Sequence, residues 1–193
     1  MANIHALHAV GNAIVSWLQD NYPTTLDGQA MPACAFALLS SGELASPPPD
    51  GTRLTLYLYR ATVSEQQHPQ RPDRMSSGPQ APLALDLHCL MTLWADKPQD
   101  ELVPLAWAMR ELHQHPILDA SSLSPEAGWA PDEVVQVIPS ALSVHDMACL
   151  WDTFEPSYRL SVSYVARLVR LAPDRFGSGS ASPPAAGARR RRP

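Results

Sequence analysis

Apolar side chains recur along this chain with two different periods, and the changes of period mark its elements. Ile4, Leu7, Gly11, Ile14, Val15 and Leu18 return every three or four positions, which predicts an amphipathic helix over 3–20. Asn21-Tyr22-Pro23 ends it, because the residue before a proline avoids helical backbone. The apolar run Ala33–Leu39 predicts a short buried strand, followed by a turn-rich loop at Gly42 and Pro47-Pro48-Pro49-Asp50-Gly51. From Leu54 to Val63 the period drops to two: Leu54, Leu56 and Leu58 face one way, Thr55, Tyr57 and Tyr59 the other. Leu83–Trp94 repeats the pattern, with Leu83, Leu85, Leu87, Cys89, Met91 and Leu93 against Ala84, Asp86, His88, Leu90, Thr92 and Trp94. One apolar and one mixed face predict an antiparallel hairpin in a sheet covered on one side, with a long polar connection over 65–82.

A second helix is predicted from Asp96 and Pro98, in capping and first-turn positions, to His115-Pro116. Leu102, Leu105, Ala106, Met109 and Leu112 form its expected buried stripe, and Pro104 is placed to kink it slightly. After a loop with a turn near Ser124–Ala127, Val134–Ile138 reads as a strand stopped by Pro139. Ser143-Val144-His145-Asp146 resembles a capping box with Asp in place of Glu and opens a short helix to about Phe154. Tyr158, Leu160, Val162, Tyr164, Ala166 and Leu168 alternate with Arg159, Ser161, Ser163 and Arg167 in a last strand. The sum is an α+β domain over 1–173: a mainly antiparallel mixed sheet of about four to five strands packed by two to three helices. Residues 174–193 read as a flexible Gly/Ser/Ala/Pro linker with an Arg-rich end.

Composition sharpens this picture. The chain has 193 residues, 45% of them hydrophobic and only 17% charged, so it can bury a core and is not a disordered polyelectrolyte. Its 20 prolines argue against a long helical bundle. Residues 1–173 carry 18 acidic and 9 basic side chains, net −9, whereas 174–193 carry one Asp and five Arg, net +4. An acidic body excludes nucleic-acid binding as the main task, which needs a phosphate-neutralising face. Cys34, Cys89 and Cys149 are scattered and contain no C-x-x-C, so neither a disulfide framework nor a zinc site is indicated. The first residues lack the pattern of a signal peptide and no apolar stretch approaches 18 residues, which predicts folding in a reducing cytosol.

Signatures of catalysis are sparse: no G-x-S-x-G elbow, phosphate loop, dinucleotide fingerprint or H-E-x-x-H occurs. His113 and His115, with Glu111 and Asp119 nearby, are the one candidate metal or hydrolase site. Residues two apart on a helix do not share a face, however, and histidine is favoured at helix C-termini by the dipole alone. Cys89 lies on an apolar strand face and reads as core rather than nucleophile. Asp86 and His88 sit two apart on one face, as a surface pair or an interface contact. Tyr57 and Tyr59 fit either a binding surface or packing under a helix; Trp94, Trp107, Trp129 and Trp151 fit packing. The Arg189–Arg192 run is a solvated tail, or a tether to anionic lipid in a membrane-associated adaptor.

The run Leu54–Arg60, then Val63-Ser64-Glu65, Pro82–His88, Trp107–His113, Pro116–Asp119 and the closing Tyr158–Tyr164 strand resemble, in that order, a known family. It is the N-terminal domain of tube-terminator or cap proteins of phage-tail-like extracellular contractile injection systems. The resemblance covers about residues 3–172 and implies a tail-terminator-like fold and a structural role without catalytic residues, cofactor or metal. It further implies a ring of six copies that caps the inner tube, meets the last sheath ring, stops polymerisation and anchors the sheath. The particle would be assembled in the bacterial cytoplasm and then released or attached to a membrane. As strand residues or neighbours of the long connection, Tyr57, Tyr59, Arg60, Glu65, Asp86, His88, Arg159 and Arg167 are the candidate contacts of such an interface.

Overall fold

The computed structural model describes residues 2–44, 51–64, 82–154 and 156–172. Helix α1 (Ala6–Asn21) is followed by a small antiparallel ribbon, β1 (Thr25–Leu26) and β2 (Gln29–Ala30). Then come β3 (Ala35–Leu39), the single turn α2 (Ser41–Leu44), β4 (Arg53–Val63), β5 (Leu83–Trp94) and helix α3 (Pro98–Gln114). The chain closes with β6 (Ile117–Leu118), β7 (Val135–Pro139), α4 (Val144–Trp151) and β8 (Ser161–Leu171). Six strands form one mixed sheet in the order β3-β4-β5-β8-β7-β6, every pair antiparallel except β3 with β4. The α+β class and the β4–β5 hairpin stand as expected. The sheet has more strands than expected because β6 is two residues long and leaves no periodic trace.

Both α1 and α3 cover one sheet face. Ala6, Val10, Ile14 and Leu18, spaced four apart on one side of α1, meet Leu54, Leu56, Leu87, Cys89, Met91 and Leu93 of the hairpin and Tyr164, Ala166 and Val169 of β8. Burying Val10, Ile14 and Leu18 stabilises the fold by about 1.5–3 kcal/mol each. Ile4, expected in that stripe, precedes the helix and is 77% exposed. Gly11 lets the helix come close to the sheet: a Cβ there would lie 2.9 Å from both Leu38 methyl carbons. Across the two helices, Trp17 Nε1 donates to Glu111 Oε1 (3.2 Å), which also meets His115 Nδ1 (3.0 Å).

Half of the second face is covered too, where a sheet covered on one side was expected. Leu90 and Trp94 of β5 pack with Leu44 and Trp151 beneath α2 and α4, with Tyr57, Met147, Leu150 and Phe154 at the margin. The later half of β5, Leu90–Trp94, is buried throughout, as an apolar run enclosed on both faces should be. Two polar pairs are made in this layer, Trp94 Nε1 donating to Thr55 Oγ1 (2.9 Å) and Thr92 Oγ1 bonding Ser161 Oγ (2.8 Å), whereas Trp151 Nε1 is buried without a hydrogen-bond partner among the described residues. Helix α4 starts as expected, Ser143 Oγ accepting from the Asp146 N–H (3.0 Å) and donating to Asp146 Oδ2 (2.7 Å).

Three local expectations are corrected. Segment 33–39 is not buried: β3 is an edge strand paired only with β4, and its side chains are half-buried or exposed. Helix α3 has Lys97, not Asp96, as its N-cap, without a side-chain cap, and Pro98 opens its first turn. It buries Pro104, Leu105, Trp107, Ala108 and Leu112, while Leu102 and Met109 of the expected stripe are 51% and 39% exposed. The helix is apolar on more than one side, so its period did not determine which side faces inward.

Two bulges fall close together in the sheet. Leu58 pairs with Cys89 and Arg60 with His88, leaving Tyr59 as the extra residue of β4. Val169 pairs with Leu85 and Ala166 with Leu87, so Arg167 and Leu168 both stand opposite Asp86. Leu168 adopts a left-handed backbone (φ 61°), uncommon for a side-chain-bearing residue, and its N–H donates to Asp86 Oδ1 at 3.1 Å. This slip ends the alternation read through Leu168: Tyr164 and Ala166 face the main core, and beyond the bulge Val169 does.

Candidate interaction surfaces

The second sheet face divides into a covered aromatic half and an open polar half. On the polar half the bulges gather Tyr59, Arg60 and Thr62 of β4, Asp86 and His88 of β5, and Ser163 and Arg167 of β8. Tyr59 Oη is 3.1 Å from Ser163 Oγ, and its ring centroid is 6.0 Å from that of His88. His88 Nε2 lies 3.1 Å from Thr62 Oγ1. Burial first, then the guanidinium of Arg60, holds the imidazole below its usual range; Asp86 pulls it up and Arg167 down again. Asp86 and His88 thus share one face and interact through charge, while Asp86 Oδ1 accepts from the Leu168 N–H and the imidazole bonds Thr62.

On the aromatic half Tyr57 meets Phe154 edge-on (5.7 Å), and Trp151 touches Trp94, Phe154 and Tyr158 at centroid distances of 5.6–6.0 Å. Arg159 lies over the Trp94 ring, its Cζ 5.8 Å from the centroid, while Nη1 donates to the Ala95 carbonyl at 3.4 Å. Beside them α4 and the following segment enclose an open groove of about 630 Å³, lined by Val144, Met147, Trp151, Phe154 and Tyr158 among others. Val144 is 89% exposed and Tyr158 58%. Tyr57 thus sits under a helix, and Tyr59 is the tyrosine that borders the polar surface. Trp94, Trp107 and Trp151 are buried and Trp129 partly so, in line with packing roles.

A third surface is the outward side of α3. Leu102, Val103, Ala106 and Met109 are exposed, and the first three border a shallow groove of about 350 Å³ against Leu26 and Met31. The sequence carries a signal for it: from Leu102 to Met109 every residue is apolar, more than one buried stripe can use. The α4 groove has no comparable signal, because it arises from the turn that follows the helix.

The alternative metal or hydrolase site is not assembled. His115 bonds Glu111 and lies against Trp17 (5.3 Å between centroids), and His113 is exposed on the last turn of α3. Asp119 is tied to Ser121 and Ser122, whose backbone and hydroxyl hydrogens hold its carboxyl below the usual range. Among the described residues no three His, Cys, Asp or Glu side chains are disposed to hold a metal ion. Cys89 is buried in the core, which pushes its thiol up to about 12. Glu65, the 65–81 part of the long connection and the Arg189–Arg192 tail lie outside the described residues. No helix among those described is long and apolar enough to cross a membrane.

The described residues thus form an α+β domain, a mixed sheet with helices on both faces and several open surfaces. The model of the Pvc16 N-terminal domain family matches residues 9–182, and the chain belongs to that family. Its fold is shared with the sheath/tube terminator of the PVC extracellular contractile injection system in its extended state, solved by cryo-EM. There the TM-score is 0.56 and the identity 16% over 97% of this chain and 63% of that one. It is also shared with the tube-terminating cap of the anti-feeding prophage: TM-score 0.53 and 12% identity over 88% of this chain and 56% of that one. At these identities the likeness establishes the fold, and this chain spans about three fifths of the length of those solved chains. No curated protein matches it in sequence.

Proposed function

We propose that the protein is a tube-terminating cap of a contractile injection particle. Copies of it form a closed ring at the end of the inner tube and against the last sheath ring, ending polymerisation and anchoring the sheath. The observation that carries this reading is a coincidence of extent: the family model spans 9–182, and the fold match to a sheath/tube terminator spans 97% of the chain. Its chemistry agrees. A ring needs heterologous contacts that differ on the two sides of each copy, and this domain offers a cationic polar face, an aromatic groove and an apolar helix side on separate elements. The role is structural rather than enzymatic, a ring of six copies following from the family resemblance. The particle is assembled in the bacterial cytoplasm before it is released or attached.

Particles from cells lacking this chain test the reading. Negative-stain microscopy is expected to show tubes of widely scattered length whose sheaths are short or detached, restored by supplying the protein. Particles of normal length with intact sheaths in its absence would overturn it.

A further inference from the structure

The polar half of the second sheet face holds two guanidiniums and one carboxylate, Asp86, so that its cations outnumber its anions among the described residues. Arg60 is brought opposite His88 by the Tyr59 bulge, and Arg167 opposite Asp86 by the bulge in β8. Both act electrostatically on the imidazole between them, adding to the lowering that burial causes and opposing the pull of Asp86. Asp86, the carboxylate of the group, already accepts from the Leu168 N–H. Arg167 Nε is shielded from water with no hydrogen-bond partner, and neither arginine has an ion-pair partner, among the described residues. A charged donor left buried without an acceptor is costly, so an acceptor arriving from outside gains more here than at an open surface.

We propose that this island receives a carboxylate side chain from an adjoining copy of the same chain. The inference rests on the ring reading above and adds the chemistry of its copy-to-copy contact. Charge complementarity selects the occupant: over 1–173 each copy carries 18 carboxylates against 9 cations. Every copy therefore carries carboxylates in excess, while its own island holds two guanidiniums against the single carboxylate of Asp86. An island that takes a carboxylate from elsewhere on the next copy can serve the heterologous contact that a closed ring requires. Guanidinium suits it better than ammonium, because its planar fork takes a carboxylate through two parallel N–H···O bonds.

Sedimentation velocity and native mass spectrometry of the full chain, with and without tube protein and across a range of salt, test this. Wild type is expected to self-associate, less so as salt rises. The double variant R60E/R167E is expected to associate at least tenfold more weakly, with R60K/R167K between the two. Circular dichroism checks folding, and R60Q/R167Q, which adds no charge, gives the same readout should the reversal disturb the fold. Charge-reversed protein that assembles with wild-type affinity overturns the proposal. So does a wild type that stays monomeric under all these conditions, or variants that lose tube binding while still associating with themselves. A variant that stays monomeric yet still binds tube ends supports it, and separates it from the capping reading, which the particle-length experiment decides alone.

Discussion

Removing the carboxylate of Asp86 should destabilise the fold by about 2 kcal/mol. Its Oδ1 accepts the N–H of Leu168, a residue held at φ 61° where two residues of β8 oppose one of β5. A hydrogen bond to a charged acceptor contributes roughly 1.5–3 kcal/mol, and a left-handed leucine carries about 1–3 kcal/mol of strain that its surroundings must support. Asp86 is half-buried, which places the net loss in Asp86→Ala at the lower end of the first range. Asp86→Asn keeps a neutral acceptor and should cost about half as much. In urea, with m of about 2 kcal/mol/M, Asp86→Ala should lower the midpoint by about 1 M with m unchanged, and Tm by roughly 4–8 °C. Leu168→Gly relieves the backbone but gives up a half-buried side chain, so alone it should be near neutral. Combined with Asp86→Ala it should recover on the order of 1 kcal/mol, a coupling that independent sites would not show. If Asp86→Ala unfolds within about 0.3 kcal/mol of wild type, or Asn and Ala cost the same, the carboxylate does not hold the bulge and the reasoning fails.

Other consequences are equally measurable. Gly11→Val should cost about 2–3 kcal/mol by chemical denaturation, because its side chain would drive Leu38 from the helix, whereas Gly11→Ala should cost less since alanine returns about 1 kcal/mol of helix propensity. With a thiol reagent at pH 8, Cys149, which is exposed, should react first. Cys34, pushed up to about 11 by burial, should follow, and Cys89, pushed up to about 12, should react only on unfolding; equal rates for all three would refute the placement. Tyr22 is pushed from 10.0 up to about 12, chiefly by burial against Trp107 and Phe36. The unfolded chain then loses this proton first, so its contribution to stability is complete below pH 10 and falls as pH rises toward 12. Tyr22→Phe should flatten the alkaline decline of the urea midpoint between those values.

Elements with a strong period were legible in the sequence, and their relations in space were not. The alternation of β4 and β5 located both strands to within a residue and implied their hairpin, because a period of two needs no tertiary information. Ser143 and Asp146 likewise announced the start of α4. What the period could not convey is the parallel return of β4 beside β3, or which side of an all-round apolar α3 turns inward. Least visible were the bulges. Nothing in Leu58-Tyr59-Arg60 or Arg167-Leu168 marks an extra residue, since the left-handed position is filled by leucine where a glycine would have signalled it. Yet these bulges decide the candidate surface: with unbroken alternation, Tyr59 and Arg60 would point to opposite faces. Polarity on a strand does not tell the two halves of this face apart: the fold brings Arg60, His88 and Arg167 together and commits Tyr57 and Arg159 to the aromatic layer.

A protein that must join copies of itself at a tube end faces a physical conflict: the surfaces that give affinity also promote indiscriminate association. Here the apolar surfaces are of the adhesive kind. Among the described residues the side of α3 at Leu102, Val103 and Met109 is uncovered, the α4 groove is open, and β3 is an edge strand with one side unpaired. Apolar area is not selective, and copies approaching through it alone would meet in many orientations. Charge resolves the conflict, because a body of net −9 keeps copies apart in every orientation except those that bring an acidic patch to a cationic one. In the proposed contact the guanidiniums placed by the two bulges supply the cationic patch, so that electrostatics would select the approach and apolar burial would hold the result. High salt should therefore increase wrongly oriented aggregates while it weakens rings, whereas a purely hydrophobic interface would gain in both.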